Sequence, residues 1–560
     1  AAWRHLLQNH PHDSICGCSV DQVHKDMEYR FDQCEAIAEL VLGDSLKRLA
    51  LRVPGEVTSS RFPVVVANAL AFPISEPVDL VLEVPNNGPE FQEFFGFERK
   101  PAFRIVDAKG AEVPYQRVHQ QLESLRQQRC RRKFPHALRR HLVEVTVPLD
   151  LPSLGTRTLF VEAVPGPTRH PEAPLTIDAQ TFENEFLTVV NSGGKLCVYD
   201  KETGADYMDL LTLEDCADIG DGWYHGVAVN DEVFLSSNSP STTVLVQNGP
   251  FKATWRIEVE FKVPSEFDFS RMVRSSERTT LRVTHWVTLR RGARHVEVVT
   301  EVENIVRDHR LRVLFPSLID AKTYWADTPF DAVERPIALR KDNHLAKELE
   351  VETKPQSTWT AVSGTHQIYD EGKCGLAIIS KGLPESAVID DEDRTIALTL
   401  LRAFRRAVFT DGNEGGQIQG KHRFEYWVVP FGGRVDPVEL GRYGQRLAAG
   451  IRSAQAHPLD DKLEGPDHPD GYSLFEVEGD VLVTSARGTG QTGLFVRLYN
   501  PKATHAKIRI TMKDGFARAA RCDLRDQELE PLRTSGKKLN LVVEPKKIVT
   551  LYLEPRGAGK

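Results

Sequence analysis

The densest group of side chains that could bind a metal and a polar substrate is the segment HPHDSICGC at residues 10–18. Neutral imidazole is a good zinc ligand, and a carboxylate accepts hydrogen bonds from sugar hydroxyls. The pair His12-Asp13 therefore predicts part of a site that residues elsewhere complete. Two other interpretations stay open: a polar turn without a ligand, and a small structural zinc knot whose spacing is tighter than usual zinc motifs. The zinc knot would use His10, His12, Cys16 and Cys18.

Helices are predicted on both sides of this segment. The apolar spacing of residues 1–9 predicts a short helix before it. After it, Ser19 and Gln22 form a capping-box pattern, which predicts that a helix begins there. Apolar residues then recur every three or four positions over residues 23–49 and end at Pro54-Gly55, so this helix should have about eight turns. An amphipathic helix of this length needs partner helices to cover its apolar stripe.

From residue 56 onward the apolar period changes to two, which is typical of β-strands. RRGAR at 290–294 predicts a hairpin between two of these strands, and residues 438–454 predict one further helix. Proline-rich segments predict breaks near 165 and 455. We therefore predict a mainly β chain with a short N-terminal helical segment. Its expected parts are a helical segment at 1–55, a small β-sandwich domain at 56–165, a large β-domain at 166–455 and a C-terminal β-domain at 456–560.

The composition excludes several classes of protein. The chain has 560 residues, of which 41% are hydrophobic and 27% are charged, as in ordinary globular proteins. No stretch reaches the about 18 apolar residues of a membrane span, so no membrane partner is expected. The net charge of −8 does not suggest a nucleic-acid partner. Eight scattered cysteines fit free thiols in a reducing compartment, and the first residues do not resemble a signal peptide, so a cytoplasmic location is expected.

The motif HDSICG at 12–17 resembles a turn in the helical middle domain of the family-38 glycoside hydrolases, the retaining α-mannosidases. Five later segments resemble the same family in the same order along the chain, which makes the set specific. The resemblance implies a helical-bundle remnant followed by β-sandwich domains, including a supersandwich like that of galactose mutarotase. The five segments are ENEFLTVVNSGGKLCVYDKETG (183–204), LEDCADIGDGWYH (213–225), VENIVRDHRLRVLFP (302–316), WADTPFDAVERP (325–336) and GLAIISKGLPE (375–385).

The resemblance also implies roles for particular residues. His12 would be a ligand of the catalytic zinc ion, and Asp13 would hydrogen-bond hydroxyls of the mannose in the −1 subsite. Tyr224 would reach into that subsite from the β-domain, and Asp218 and Asp221 would line the pocket. The alternative for Tyr224 is an aromatic residue that covers the core at a strand edge. A substrate-facing loop would offer three weaker candidates, Asp411, Asn413 and Gln417.

Retaining glycosidases need a nucleophile and an acid/base whose carboxyl groups are about 5–5.5 Å apart. The resemblance implies that both come from an N-terminal α/β barrel of the same enzyme, together with the other zinc ligands. We therefore predict no catalytic residue in this chain, an incomplete Zn²⁺ site, and no activity of the chain alone on the expected α-mannoside substrate. Three acidic pairs are interpreted as solvated rather than catalytic, namely Glu214-Asp215, Asp390-Asp391 and Asp460-Asp461.

Two alternative functions remain open from the sequence. One is a non-catalytic carbohydrate-binding β-sandwich protein that keeps the fold without the chemistry. The other is a mutarotase-like or lyase-like enzyme, in which His225 or His285 with a nearby Glu would act as the acid-base pair. Because bacterial relatives often dimerise, a homodimer is a further expected assembly.

Overall fold

A computed structural model describes residues 1–92, 98–128, 134–368, 372–406, 415–461, 463–490 and 492–557. In these ranges the chain is mainly β and begins with helices, so the predicted fold class is confirmed. The chain forms two compact units. Unit 1 comprises Ala1–Val41, Leu175–Asn248 and Ala253–Asp436, and unit 2 comprises Leu42–Pro174, Gly249–Lys252 and Pro437–Lys560. Among the helices of the described residues, none combines the length and apolar character that a bilayer crossing requires.

The N-terminal helices are α1 (Ala2–Gln8), α2 (His12–Ile15) and α3 (Asp21–Ala50). The 30 residues of α3 match the predicted length of about eight turns. The predicted capping box is wrong, because α3 begins at Asp21, so Val20 and not Ser19 is the N-cap residue and Gln22 is at the second helical position instead of the third. The Gln22 amide instead donates to Asp26 Oδ1 at 3.1 Å.

The predicted apolar stripe of α3 is only partly covered by the described residues. Met27 is buried, whereas Phe31 and Val41 are exposed. A helix this long gains most of its stability from packing an apolar face, and the predicted need for partner helices stays a prediction.

Unit 1 is built on antiparallel sheets whose inner faces share one apolar core. Its largest sheet runs through Ser241–Asn248, Lys252–Pro264, Arg278–Arg290, Val296–Asn304, Gly420–Gly432, Lys373–Lys381, Trp359–His366, Thr323–Thr328 and Asp331–Pro336, with Ile319–Asp320 beside Trp359–His366. A second sheet runs through Phe234–Leu235, Thr212–Ala217, His309–Phe315, Ile396–Ala403, Glu385–Val388 and Lys354–Pro355. A third runs through Thr176–Asp178, Thr181–Glu183, Leu187–Ser192, Lys195–Asp200 and Asp206–Leu210, and Phe267–Asp268 pairs with Val273–Arg274.

The hairpin predicted at RRGAR is confirmed. Strand Arg278–Arg290 pairs antiparallel with Val296–Asn304, and Val287 lies opposite Val298. Gly292 in the connection has φ of 71°, a left-handed conformation that glycine adopts without a steric penalty.

Unit 2 contains the remaining sheets and the helix α4 (Pro437–Ala449). Proline at the first position of α4 and Gly450, with φ of 63°, bound this helix, which ends five residues before the predicted 454. One sheet runs through Arg452–Gln455, Arg61–Asn68, Gly155–Ala163, Phe103–Asp107 and Glu112–Val113, and another through Ile74–Pro85, His136–Leu151 and Gln116–Gln128. Glu90–Phe91 pairs with Lys100–Pro101. The last two sheets are Glu476–Glu478, Ala506–Thr511 and Lys538–Val543, and Leu482–Gly488, Leu494–Tyr499, Ile548–Pro555, Phe516–Cys522 and Glu528–Pro531.

Candidate functional site

The segment at residues 10–18 folds around the one-turn helix α2, between α1 and α3. The backbone N–H groups of Cys16 and Cys18 donate to the carbonyl oxygens of His12 and Asp13 at 3.1 and 3.0 Å. Gly17 has φ of 76°, which ends α2 and turns the chain toward α3. His12 and Asp13 therefore occupy the first two positions of a short, tightly turned helix.

Asn9 anchors the start of this turn. It is fully buried, its amide Nδ2 donates to the Met27 carbonyl at 2.9 Å, and its Oδ1 accepts from Arg30 at 3.3 Å. Buried amides that use both ends in this way fix the relative placement of the elements they join. Asn9 thus holds the end of α1 against α3.

The two side chains that the motif singled out face solvent. The His12 side chain is 91% exposed and the Asp13 side chain is 53% exposed, with His12 Nε2 at 3.1 Å from Asp13 Oδ1. An exposed imidazole next to a carboxylate can still bind a metal ion or a hydroxylated ligand, because neither group is consumed by packing. The turn is therefore open on the side that carries its polar groups.

A loop at residues 218–226 lies against this turn and is organised by a buried carboxylate. Asp218 is fully buried, and its Oδ1 accepts from the backbone N–H groups of Gly220 and Gly226 at 3.0 and 3.1 Å. Its Oδ2 accepts from Arg402 Nε at 2.8 Å, and Arg402 also donates to the Asp221 carbonyl at 2.7 Å. Asp218 lies under the loop with both oxygens engaged, so its geometry is that of a residue that positions the loop.

Gly222 brings the loop into contact with the turn. A Cβ atom at this position would lie 2.5 Å from Cys18 Cα and 2.6 Å from Cys18 Cβ. Such distances are far inside van der Waals contact, so only glycine permits the observed approach.

We expect Gly222→Ala to push the loop away from the turn and to cost about 1–3 kcal/mol of the free energy of unfolding, the usual cost of overpacking. The Trp223 indole N–H, which contacts Cys18, should change its NMR chemical shift. Gly166→Ala is the matched control, because a Cβ there meets nothing within 4 Å. An unchanged Trp223 resonance in Gly222→Ala would contradict the assigned contact.

Cys18 connects the turn to the loop through its sulfur. The Trp223 indole Nε1–H donates to Cys18 Sγ at 2.9 Å. The Cys18 thiol can donate to Asp13, whose main-chain carbonyl oxygen lies 3.4 Å and whose Oδ1 lies 3.6 Å from Sγ. Burial and the Asp13 carboxylate raise the pKa of the Cys18 thiol, against the opposite effect of the Trp223 hydrogen bond. The thiol therefore stays protonated and can donate to Asp13 while it accepts from Trp223.

Asp221 shapes the exposed tip of the loop. Its Oδ1 accepts from the backbone N–H groups of Trp223 and Tyr224 at 2.8 and 3.4 Å. Both aromatic residues are more than half exposed. The structure thus brings the Asp221–Tyr224 tip next to the turn that bears His12 and Asp13, while the predicted roles of these residues toward a substrate stay predictions.

A third segment, at residues 415–419, contacts the start of α3. The Gly416 backbone N–H donates to Asp21 Oδ1 at 2.7 Å. Gln417 was a candidate substrate contact, but its Nε2 donates to Asp308 Oδ1 at 2.7 Å and its Oε1 accepts from the Asp308 N–H at 3.0 Å. Both ends of the Gln417 amide are therefore committed to the protein. The other two candidates in this loop, Asp411 and Asn413, lie outside the described residues.

The interpretation of Glu214-Asp215 as a solvated pair is wrong. Strand Thr212–Ala217 is buried on both faces, so both carboxylates need cations inside the protein. Glu214 accepts from Arg312 Nε at 2.7 Å. Asp215 accepts from Arg274 and, at 2.5 Å, from His309 Nδ1.

The two histidines of the mutarotase-like alternative form hydrogen bonds inside the protein. His285 is fully buried and its Nδ1 shares a hydrogen bond of 2.8 Å with Thr300 Oγ1, and His225 Nε2 donates to the Ala217 carbonyl at 2.8 Å. Burial lowers the pKa of His285 to about 4, and burial together with Arg310 lowers that of His225 to about 4. His285 cannot meet a sugar unless the core opens.

Sequence reasoning missed Arg402, the cation that holds Asp218. The available signal was a single arginine within strand Ile396–Ala403, whose other residues are apolar or Thr and are buried. A charge in such a strand requires a buried counter-ion. The position of that partner, 184 residues away, could not be read from the strand itself.

In the part of the chain that the structure describes, no group of three or more His, Cys, Asp or Glu side chains converges in a way that could hold a metal ion. The four side chains of the zinc-knot alternative belong to these residues, so that alternative is not supported. His12 and Asp13 together are at most part of a metal site.

Comparison with known proteins finds similarity to the family-38 glycosyl hydrolases. Residues 182–409 match the model of the glycosyl hydrolases family 38 C-terminal domain. A relative from Halalkalibacterium halodurans, named "Putative mannosylglycerate hydrolase", is 26% identical over 619 residues, which cover 99% of this chain and 62% of that protein.

Two solved structures share the fold. An alpha-mannosidase from Enterococcus faecalis matches with a TM-score of 0.83 and 22% identity, covering 99% of this chain and 63% of the other. A protein in glycosyl hydrolase family 38 from Enterococcus faecalis matches with a TM-score of 0.80 and 23% identity, covering 99% and 65%. The chain therefore spans less than two thirds of the length of these relatives.

Proposed function

We propose that this chain is part of a zinc-dependent retaining α-mannosidase that hydrolyses terminal α-mannosides, because residues 182–409 match the model of the glycosyl hydrolases family 38 C-terminal domain. The alpha-mannosidase and the mannosylglycerate hydrolase among the similar proteins are both named for acting on mannosides. Mannose is thus the shared part of the proposed substrate.

The observation that supports this proposal most directly is the open His12-Asp13 pair, joined through Cys18 to the aromatic tip of the β-domain loop. In the proposed site His12 is a zinc ligand and Asp13 accepts hydrogen bonds from mannose hydroxyls. Tyr224 and Asp221 contribute the β-domain wall of the same subsite. Asp218, which lies under the loop, holds that wall in place.

The donor set of this chain fits zinc only in part. One imidazole and one carboxylate fall short of the four ligands that zinc usually takes, so the others must come from the predicted N-terminal barrel. When bound, zinc would orient and polarise substrate oxygens. The nucleophile and the acid/base are likewise assigned to the barrel.

The proposed location is the cytoplasm, which is a reducing compartment. The cysteines of the described residues are free thiols, and Cys16 is exposed. Exposed free thiols persist where disulfides are kept reduced.

A chimera tests the proposed function. In it, this chain replaces the matching part of the Halalkalibacterium relative, so that the remaining N-terminal part of that protein supplies the barrel. We expect the chimera to hydrolyse an α-mannoside and the isolated chain to hydrolyse none. His12→Ala in the chimera should lower kcat/KM by roughly 100-fold or more. The substitution removes a protein ligand of the zinc ion, and a Lewis acid contributes several kcal/mol of transition-state stabilisation.

The matched control is His10→Ala, which removes an exposed imidazole two residues away. It should leave kcat/KM unchanged. Full activity of the His12→Ala chimera would contradict the assigned ligand. A chimera that binds a mannoside without hydrolysing it would favour the carbohydrate-binding alternative.

A further inference from the structure

Asp308 is a fully buried aspartate whose polar groups form hydrogen bonds with two different loops. Its main-chain carbonyl oxygen accepts from the Asp218 N–H at 2.9 Å, at the base of the loop 218–226. In the segment 415–419, Gln417 Oε1 accepts from the Asp308 N–H at 3.0 Å, and Gln417 Nε2 donates to Asp308 Oδ1 at 2.7 Å. Asp308 therefore joins the two loops directly.

The carboxylate of Asp308 is held by a cation as well as by neutral donors. Arg405 donates to Oδ1 from Nε at 3.2 Å and to Oδ2 from Nη2 at 2.6 Å. The Phe267 N–H donates to Oδ2 at 3.4 Å. A two-point contact with arginine neutralises a carboxylate and also fixes its plane. The direction in which Asp308 meets Gln417 is therefore set by the protein.

The backbone of Asp308 adopts a left-handed conformation, with φ of 52°. This conformation has a steric cost for a residue other than glycine, and it persists where the surrounding contacts over-determine it. In this conformation the N–H and the carbonyl group of one residue bond to two different loops. Strained residues of this kind cluster at functional sites.

Both loops that Asp308 joins contact the chain around the turn at residues 10–18. Gly222 of the first loop approaches Cys18 closely. The Gly416 N–H of the second loop donates to Asp21 Oδ1 at 2.7 Å, at the start of α3. These contacts are internal to the chain, so they do not depend on what covers the exposed side of the turn.

Asn304 supports the segment 415–419 from the same stretch of chain. Its Nδ2 donates to the carbonyl oxygens of Gln417 and Ile418 at 3.4 and 2.9 Å, and its Oδ1 accepts from the Val306 N–H at 3.0 Å. Asn304 and Asp308 both belong to the segment VENIVRDHRLRVLFP at 302–316. This short stretch therefore holds the segment 415–419 at two of its side chains.

We propose that Asp308 is a positioning residue of the proposed mannoside site. It fixes the loop 218–226, which carries Asp221 and Tyr224, relative to the segment 415–419. Asp308 is buried and acts through these loops rather than on the sugar. When its bonds to Gln417 are lost, the two loops are no longer tied together, and the β-domain wall moves away from mannose. This inference rests on the proposed function and adds a residue to the same site.

The first measurement uses the complete 560-residue chain and the NMR signal of the Trp223 indole N–H, which Trp223→Phe assigns by removing it. Asp308→Asn keeps the shape and tolerates the left-handed backbone, but it loses the charge that faces Arg405 and one acceptor. Gln417→Ala changes only the other loop. We expect both variants to shift the Trp223 signal, because Asp308 transmits the change from one loop to the other.

Asp327→Asn is the matched control, because Asp327 is also a buried carboxylate of unit 1 and also accepts from backbone N–H groups. Its donors lie at Ser357, Thr358 and Trp359, outside the two loops. Asp327→Asn should lower the stability of the chain and leave the Trp223 signal in place.

The second measurement is kcat and KM of the chimera on an α-mannoside. Asp308→Asn and Gln417→Ala should raise KM by roughly tenfold, the size of one hydrogen bond, and change kcat little, because the wall binds the ground state and the transition state alike. A purely structural defect lowers the folded fraction, so it lowers the apparent kcat and leaves KM unchanged. Asp327→Asn should show this second pattern.

The outcomes separate this inference from the proposed function. An unchanged Trp223 signal in Asp308→Asn or in Gln417→Ala would overturn the inference, and so would a loss of kcat without a rise of KM. If Asp308→Asn does not fold, Gln417→Ala decides both measurements. An inactive unsubstituted chimera would overturn the proposed function and the role of Asp308 toward mannose, while the Trp223 signal would still decide whether Asp308 joins the loops.

Discussion

Asp218→Ala is expected to lower the free energy of unfolding of unit 1 by about 3–5 kcal/mol, the usual cost of leaving a buried charge without its partner. Asp218 is fully buried, and Arg402, which it neutralises, is 9% exposed. The substitution also leaves the N–H groups of Gly220 and Gly226 without an acceptor. Urea denaturation measures the loss of stability, and hydrogen exchange should show faster opening of residues 218–226.

Two further variants make this prediction specific. Asp218→Asn keeps one acceptor oxygen for the glycine N–H groups but loses the charge that faces Arg402, so its effect should be intermediate. Asp342→Ala removes the partner of Arg340 in an exposed ion pair, and it should barely change the unfolding curve. If Asp218→Ala were as stable as Asp342→Ala, the carboxylate would not be what holds the loop.

Trp255→Ala is expected to destabilise unit 1 by about 3–5 kcal/mol, since it removes a large side chain from a packed core. The Trp255 ring is fully buried and stacks on Phe182 with ring centroids 3.5 Å apart. Its Nε1–H donates to the Ala179 carbonyl at 3.1 Å, which would lose its donor. The measurement is again the midpoint and slope of urea unfolding.

Trp255→Phe is the informative control, because it keeps an aromatic ring against Phe182 and loses the hydrogen bond to Ala179. It should cost less than Trp255→Ala. Trp286→Ala removes a tryptophan that is only partly buried and that donates to Glu301, and it should cost less still. Equal losses in Trp255→Ala and Trp286→Ala would contradict the central position of Trp255 in the core.

Trp255 and Trp223 show that the same residue type occupies two different environments in this structure. Both indoles donate a hydrogen bond, but one ring is covered by the sheets and the other is exposed beside charged groups. Tryptophans on β-strands usually fill a core, as Trp255 does. Trp223 lies instead on a loop, and Asp221 shapes that loop.

Much of the architecture was determined by local patterns in the sequence. The alternation in VEVVTEVEN matches the alternating burial of strand Val296–Asn304. The long apolar period after residue 20 matches the 30 residues of α3, and HDSICG forms the turn that the motif predicted. These features could be read because side-chain periodicity and turn chemistry act over a few residues.

Only the tertiary structure decided which polar residues are exposed and which support the fold from below the surface. Asp218 and Asp221 are three residues apart, yet one is sealed under the loop and the other shapes its exposed tip. Trp223 meets Cys18 across 205 residues of sequence. A periodic pattern tells which face of an element is apolar, but a buried carboxylate can be neutralised by a cation from any part of the chain, and only packing selects which one.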